Sequence, residues 1–124
     1  MPISVIWIDQ DIAKVFQISD EKMERKTFQA HQALHHTHSL DHKDQARKET
    51  PFYTEVSAAI GASDQILILG PGMAKHHFQN FLIEHSPIKG KKIVGCETVD
   101  HPTDAQIAAL AKKFFKIEAP RQQA

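Results

Sequence analysis

This sequence of 124 residues has one cysteine, few aromatic side chains and no net charge. The lone Cys96 excludes an intramolecular disulfide and a cysteine-based zinc cluster, which favours the cytoplasm over secretion. Lys and Arg together number 15, as do Asp and Glu, so no overall field attracts nucleic acid or anionic membrane. No apolar run approaches the roughly 18 residues of a membrane span, and the N-terminus lacks a signal-peptide pattern. We expect a soluble cytoplasmic protein without membrane attachment.

Histidine is the residue that the chain has in excess. There are nine histidines, and five of them lie in HQALHHTHSLDHKDQARKET, residues 31–50. Protonation of imidazoles makes the net charge of the protein sensitive to pH just below neutrality. The segment contains few apolar residues, so we interpret it as a polar loop between better packed elements.

Apolar periodicity predicts an alternating α/β chain. Strands are expected over 3–8, 13–18 and 22–29, the third so charged that it suits a sheet edge. Thr50 and Pro51 are typical of a helix start, and Phe52, Val56, Ala59 and Ile60 recur at helical spacing up to Gly61. Further strands are predicted over 65–69 and 93–99. Helical faces are predicted at Ala74, Phe78, Phe81, Leu82 and His85, and at Ile107, Leu110, Ala111 and Phe114.

The predicted order is β-β-β-α-β-α-β-α. An antiparallel meander of three strands, followed by two parallel strands reached by crossovers, gives a mixed five-stranded sheet with three helices, the ribonuclease H-like layout. We expect one domain over residues 1–118 and a frayed tail over 119–124. The charged third strand disfavours edge pairing there, although helix faces could dimerise, so the oligomeric state stays open.

A more particular resemblance rests on three stretches of the sequence. They are VIWID with AKVFQI, QILILGPGMAKHHFQNFL, and KIVGCETVDHPTDAQIAAL. The chain resembles the middle domain of archaeal and eukaryotic class I release factors and Pelota-type rescue proteins, in particular small bacterial stand-alone translational machinery proteins. The resemblance spans roughly residues 3 to 117. It implies association with the ribosome or with tRNA or rRNA.

Release factors of this family carry a Gly-Gly-Gln motif between the third strand and the first helix. Residues 31–50 occupy that interval here and contain no glycine. Glycines permit backbone conformations that side chains with a Cβ resist, so Gln32 and Gln45 cannot take the same role. We therefore expect no hydrolysis of peptidyl-tRNA and, more generally, no catalytic residues.

Two other functions remain open. In a nuclease, Asp9 at the end of the first strand and Glu55 on the first helix would bind divalent metals, but no third carboxylate follows the strand over 65–69. Turn formation by Asp9 and Asp11 is the simpler interpretation. In a metal-binding protein, His38 and His42 would chelate zinc or nickel from one helical stripe, completed by His35, Asp41 or a second subunit. Adventitious zinc or nickel binding is expected in any case, with no native cofactor.

The remaining function is RNA binding, because lysine, arginine and protonated imidazole all contact phosphate. Asp41, Asp44 and Glu49 offset the fixed positive charges of the loop, and a solvated loop without function is the alternative. Gly70-Pro71-Gly72 suggests an anion-binding turn before a helix, on the same sheet rim as residues 100–104, which themselves suit a capping turn. Cys96 is expected to be buried and inert. The predicted RNA contacts are His35, His36, His38, His42, Lys43, Arg47, Lys48, Lys75, His76 and His77, with Gly70 and Gly72 as the anion-binding turn.

Overall fold

A computed structural model describes residues 2–19, 22–30 and 42–115, of which 42–50 are described by their backbone alone. Within these ranges the structure has five strands and four helices. The strands are β1 (Ile3–Ile8), β2 (Ile12–Ser19), β3 (Lys22–Gln29), β4 (Gln65–Gly70) and β5 (Ile93–Thr98), and the helices are α1 (His42–Ile60), α2 (Ala74–His85), α3 (Pro87–Gly90) and α4 (Asp104–Phe115).

The strands form one mixed sheet in the order β3-β2-β1-β4-β5. β1 pairs antiparallel with β2 and parallel with β4, while β2–β3 is antiparallel and β4–β5 parallel. The predicted meander, crossovers and five-stranded α/β sheet are confirmed. β3 lies at an edge with its charged residues exposed, also as predicted, because such side chains discourage pairing with another sheet.

Burial on both faces explains why β1 is apolar throughout. Ile6 and Ile8 pack toward α1 and α2, whereas Val5 and Trp7 pack toward α4. Alternate residues of a strand point to opposite faces, so an unbroken apolar run needs cover on both. Each fully buried side chain of this kind contributes about 1.5–3 kcal/mol.

The first helix differs from its predicted start. Thr50 and Pro51 were expected to begin it, but α1 begins at His42 and contains Pro51. A proline inside a helix removes one backbone hydrogen bond, and here the helix continues through that loss. Its end agrees with the sequence, since Gly61 adopts the positive φ of 61° that glycine tolerates best.

Two further predictions about helices are wrong in part. A fourth helix, the four-residue α3, follows α2 directly. In α4, Ile107 and Ala111 are buried, but Leu110 and Phe114, predicted in the same buried stripe, are exposed. The apolar face of α4 is therefore wider than the part of it that packs against the sheet. None of the described helices is both long and apolar enough to cross a bilayer.

The start of α4 is fixed by a capping box and by ion pairs. The Gln106 backbone N–H donates to Thr103 Oγ1 at 3.2 Å, and the Thr103 N–H donates to Gln106 Oε1 at 2.9 Å, as the sequence predicted. Asp104 pairs with Arg25 and, at 3.5 Å, with Lys14 Nζ. These contacts hold the amino end of α4 against β2 and β3.

Candidate functional site at the carboxyl-end rim of the sheet

The carboxyl ends of β1 and β4 meet at one rim of the sheet, where a cleft of about 260 Å³ opens. Ligands of open α/β sheets bind at rims of this kind. The prediction that the Gly70–Gly72 turn and the 100–104 turn share a rim is confirmed, because Gly72 and His101 both line the cleft. The lining residues are Asp9, Gln10, Asp11, Pro71, Gly72, Met73, Ala74 and His101.

Asp9 forms the turn between β1 and β2. Its Oδ1 accepts hydrogen bonds from the backbone N–H groups of Asp11 and Ile12, each at 2.8 Å. Such side chain to backbone bonds are the reason that aspartate favours turns. This geometry supports the turn-forming interpretation over a nuclease.

Glu55, the second carboxylate predicted for a nuclease, lies elsewhere. It lines a separate cleft with Lys26, Phe28 and Ala59 between β3 and α1. Within residues 2–19, 22–30 and 51–115, no three His, Cys, Asp or Glu side chains are grouped so that they could hold a metal ion. Asp9 and Glu55 are not brought together.

His101 is the rim residue that sequence reasoning did not single out by itself. Its Nδ1 lies 2.9 Å from Asp100 Oδ1 and its Nε2 lies 3.8 Å from Asp9 Oδ2. The centroid of its ring lies 5.1 Å from that of the Trp7 ring, and the two rings are tilted by 55°. Trp7 Nε1 donates a hydrogen bond to the Asp100 carbonyl at 2.8 Å. A lone tryptophan at the end of β1 and a histidine just after β5 were the signals available, but they come together only because β1 and β5 both run parallel to β4, which lies between them.

The two glycines of the predicted anion-binding turn differ in what they do. A Cβ on Gly70 would lie 2.3 Å from the Ile8 carbonyl oxygen, whereas a Cβ on Gly72 would meet nothing within 4 Å. Gly70 is thus required for the close approach of β4 to β1. Helix α2 starts at Ala74, its N-cap residue Met73 provides no side-chain cap, and its first turn contains no acidic residue, so the anion-binding role of the turn stays a prediction.

Lys75 does not take the position predicted for an RNA contact. It is only 3% exposed, and its Nζ donates to the Gly72 carbonyl at 2.5 Å. The buried face of α2 includes Lys75 together with Ala74, Phe78 and Leu82, so the aliphatic stem packs inward while the ammonium binds the turn. His76 and His77, the other two predicted contacts on this helix, are exposed.

Cys96 lies beneath this helix and is half-buried rather than fully buried. Its Sγ is 3.8 Å from His76 Nδ1. Burial raises the pKa of the Cys96 thiol, an effect that the Lys75 ammonium partly opposes and the Glu97 carboxylate reinforces. The neutral thiol is the less nucleophilic form, so the predicted low reactivity is supported.

The last described residue before the histidine-rich segment, Ala30, lies beside the β1–β2 turn. The Ala30 backbone N–H donates to the Asp11 carbonyl at 2.9 Å, which ties the end of β3 to the β1–β2 turn just before residue 31. The predicted contacts at His35, His36 and His38, and the side chains of His42, Lys43, Arg47 and Lys48, lie outside the described residues. The predicted metal pair His38–His42 and the tail 119–124 do so too.

Several solved structures share this architecture, among them the following three. Pelota of Archaeoglobus fulgidus matches with a TM-score of 0.65 and 21% identity, over 90% of this chain and 31% of its own. The archaeal translation termination factor aRF1 matches at 0.53 and 16%, over 99% and 42%. Dom34 of S. cerevisiae, described as a translation termination-like factor involved in RNA quality control pathways and interacting with Hbs1, matches at 0.58 and 10%, over 95% and 35%.

The chain has the Pelota and release-factor fold. It spans between about a third and two fifths of the length of these structures, consistent with a likeness to one domain of them, as the sequence predicted. No protein-family model and no curated protein matches it.

Proposed function

We propose that this protein associates with the ribosome or its RNA, in translation or in the response to translational stress, and does not hydrolyse peptidyl-tRNA. The observation that carries the proposal is the fold, shared over at least 90% of the chain with Pelota and a termination factor. The cytoplasm is the location that fits this role.

Loss of hydrolysis follows from the segment that replaces the Gly-Gly-Gln loop. Residues 31–50 contain no glycine, and their polar atoms are mainly imidazole, ammonium, guanidinium and carboxylate groups. A backbone without glycine resists the close approaches that a reactive tip requires. We therefore expect this segment to bind RNA without catalysing a reaction.

Two of the proposed RNA contacts, His76 and His77, are exposed near the start of α2. Ala30, the residue just before the histidine-rich segment that carries His35, His36, His38 and His42, is hydrogen-bonded to Asp11 of the cleft. Lys43, Arg47 and Lys48 follow in α1. Imidazoles that gain protons below neutral pH strengthen contacts with phosphate, so binding is expected to increase from pH 7.5 to pH 6.5.

Co-sedimentation with ribosomes tests this proposal. The protein is expected to move with ribosomes in a low-salt gradient near pH 6.5 and to dissociate as salt rises, because phosphate contacts release counterions. Changing His35, His36, His38 and His42 together to Ala is expected to weaken binding by at least about tenfold and to reduce the salt dependence.

A matched control comes from α2. His77→Ala near its start is expected to weaken binding, whereas His85→Ala, an exposed histidine in its last turn, is not. Protein that stays at the top of the gradient at low salt contradicts the proposal. Release of peptide from peptidyl-tRNA by the wild type would contradict its non-catalytic part.

A further inference from the structure

An apolar groove lies between α4 and β5, away from the rim cleft. It has a volume of about 330 Å³ and is lined by Leu67, Leu69, Glu97, Thr98, Val99, Leu110, Lys113 and Phe114. Leu110 and Phe114 are 37% and 40% exposed. These apolar side chains lie together on one surface, and contiguous apolar surfaces of this kind mark interaction sites more often than single exposed residues do.

Gly95 gives this surface its shape. A Cβ at Gly95 would lie 2.8 Å from Phe114 Cζ and 3.1 Å from Leu67 Cδ1. The missing side chain allows the Phe114 ring to pack directly against β5, with the rest of the ring exposed. The surface therefore presents apolar side chains of α4 beside an apolar groove.

The charges beside the groove are opposite in sign. Glu97 on β5 and Lys113 on α4 both line it, and neither forms an ion pair with another residue within the described ranges. One surface thus carries protruding apolar side chains, a groove that accepts such side chains, and one charge of each sign. A two-fold axis requires the same patch to be complementary to itself.

We propose that the α4–β5 surface, by which we mean Glu97, Val99, Leu110, Lys113 and Phe114, is where two copies of this chain pack about a two-fold axis. The exposed parts of Leu110 and Phe114 of each copy pack against the same surface of the other. Lys113 of each copy faces Glu97 of the other, so the pairing contains two equivalent ion pairs. The charged β3 edge is left free on the opposite side of the sheet.

The mass of the full chain in solution tests this arrangement, measured by sedimentation velocity at concentrations from about 1 to about 200 μM. The wild type is expected to have the mass of two chains at the upper end. Leu110→Glu is expected to reduce the association constant by at least about tenfold. Ile88→Glu, a more exposed apolar residue on α3, is the matched control and is expected to leave it unchanged.

Charge exchange tests the orientation without changing the apolar contacts. Glu97→Lys alone and Lys113→Glu alone are each expected to weaken association by about fivefold. The double variant is expected to restore it. A wild type that is monomeric throughout overturns the proposal. Equal loss in Ile88→Glu, or no recovery in the double variant, also overturns it.

Discussion

The paired substitutions Gly70→Ala and Gly72→Ala separate packing from the other uses of the turn that follows β4. A Cβ at position 70 would lie 2.3 Å from the Ile8 carbonyl oxygen, far inside van der Waals contact, and that oxygen belongs to the central strand. A backbone atom of β1 or β4 must therefore move. Overpacking of a rigid interior costs about 1–3 kcal/mol and occasionally more, and we expect Gly70→Ala at or above the upper end.

Gly72 is the matched control for this substitution. Its Cβ would meet nothing within 4 Å, and its φ lies outside the positive range. Replacing glycine by alanine at a compatible position stabilises a protein by about 0.4–1 kcal/mol, because the unfolded chain loses freedom. Gly72→Ala is expected to be neutral or slightly stabilising.

Urea unfolding followed by far-UV circular dichroism measures both free energies of unfolding. A loss of about 3 kcal/mol lowers the melting temperature by very roughly 10 °C in a domain of this size. The error of such fits is roughly 0.5 kcal/mol. If the free energy of unfolding of Gly70→Ala lies within about that error of the wild-type value, the argument from close approach is refuted. Equal destabilisation by both variants would show that the whole turn, not one contact, is constrained.

Three further predictions concern the rim, the cap of α4 and the cysteine. Trp7→Phe removes the partly buried hydrogen bond to the Asp100 carbonyl and is expected to cost about 0.5–1.5 kcal/mol in urea unfolding; an unchanged midpoint would contradict that bond. Thr103→Ala removes half of the capping box and is expected to cost about 1 kcal/mol, whereas Thr103→Ser should retain most of it. Because burial raises the pKa of Cys96, its alkylation near pH 7 is expected to be slower than that of free cysteine and to accelerate as the pH rises toward and beyond the raised pKa; equal rates at pH 7 would show that the thiol is not protected.

The order of the elements could be predicted because apolar period and turn residues are local signals. Ile3–Ile8 was predicted to the residue, since a strand covered on both faces is apolar at every position. The start of α1 was predicted wrongly because Pro51 is a strong local signal of a helix start, and the residues before it have only moderate helix propensity. Local propensity does not determine where a helix within a fold begins.

The site was harder to predict than the fold, because it depends on which side of each helix faces the sheet. Lys75 has a charged head and was predicted to lie at the surface, yet its place on the inner face of α2 buries its stem and directs Nζ to Gly72. Leu110 and Phe114 show the reverse error. Their spacing predicted burial, but the sheet does not extend far enough to cover them, and they are exposed. Both errors concern long-range geometry, which helical spacing alone does not contain.

The position of Trp7 gives the protein a built-in spectroscopic probe. It is the only tryptophan in the chain, and its indole is bonded to the loop that carries His101, whose imidazole lines the cleft. Emission excited at the indole band therefore reports on the rim without any attached label, and a ligand that displaces the imidazole changes the polarity around the ring. Tryptophan emission can be followed while ribosomal RNA fragments are added, and a change in emission would indicate binding at the rim. Trp7→Phe, which has no tryptophan emission, is the control.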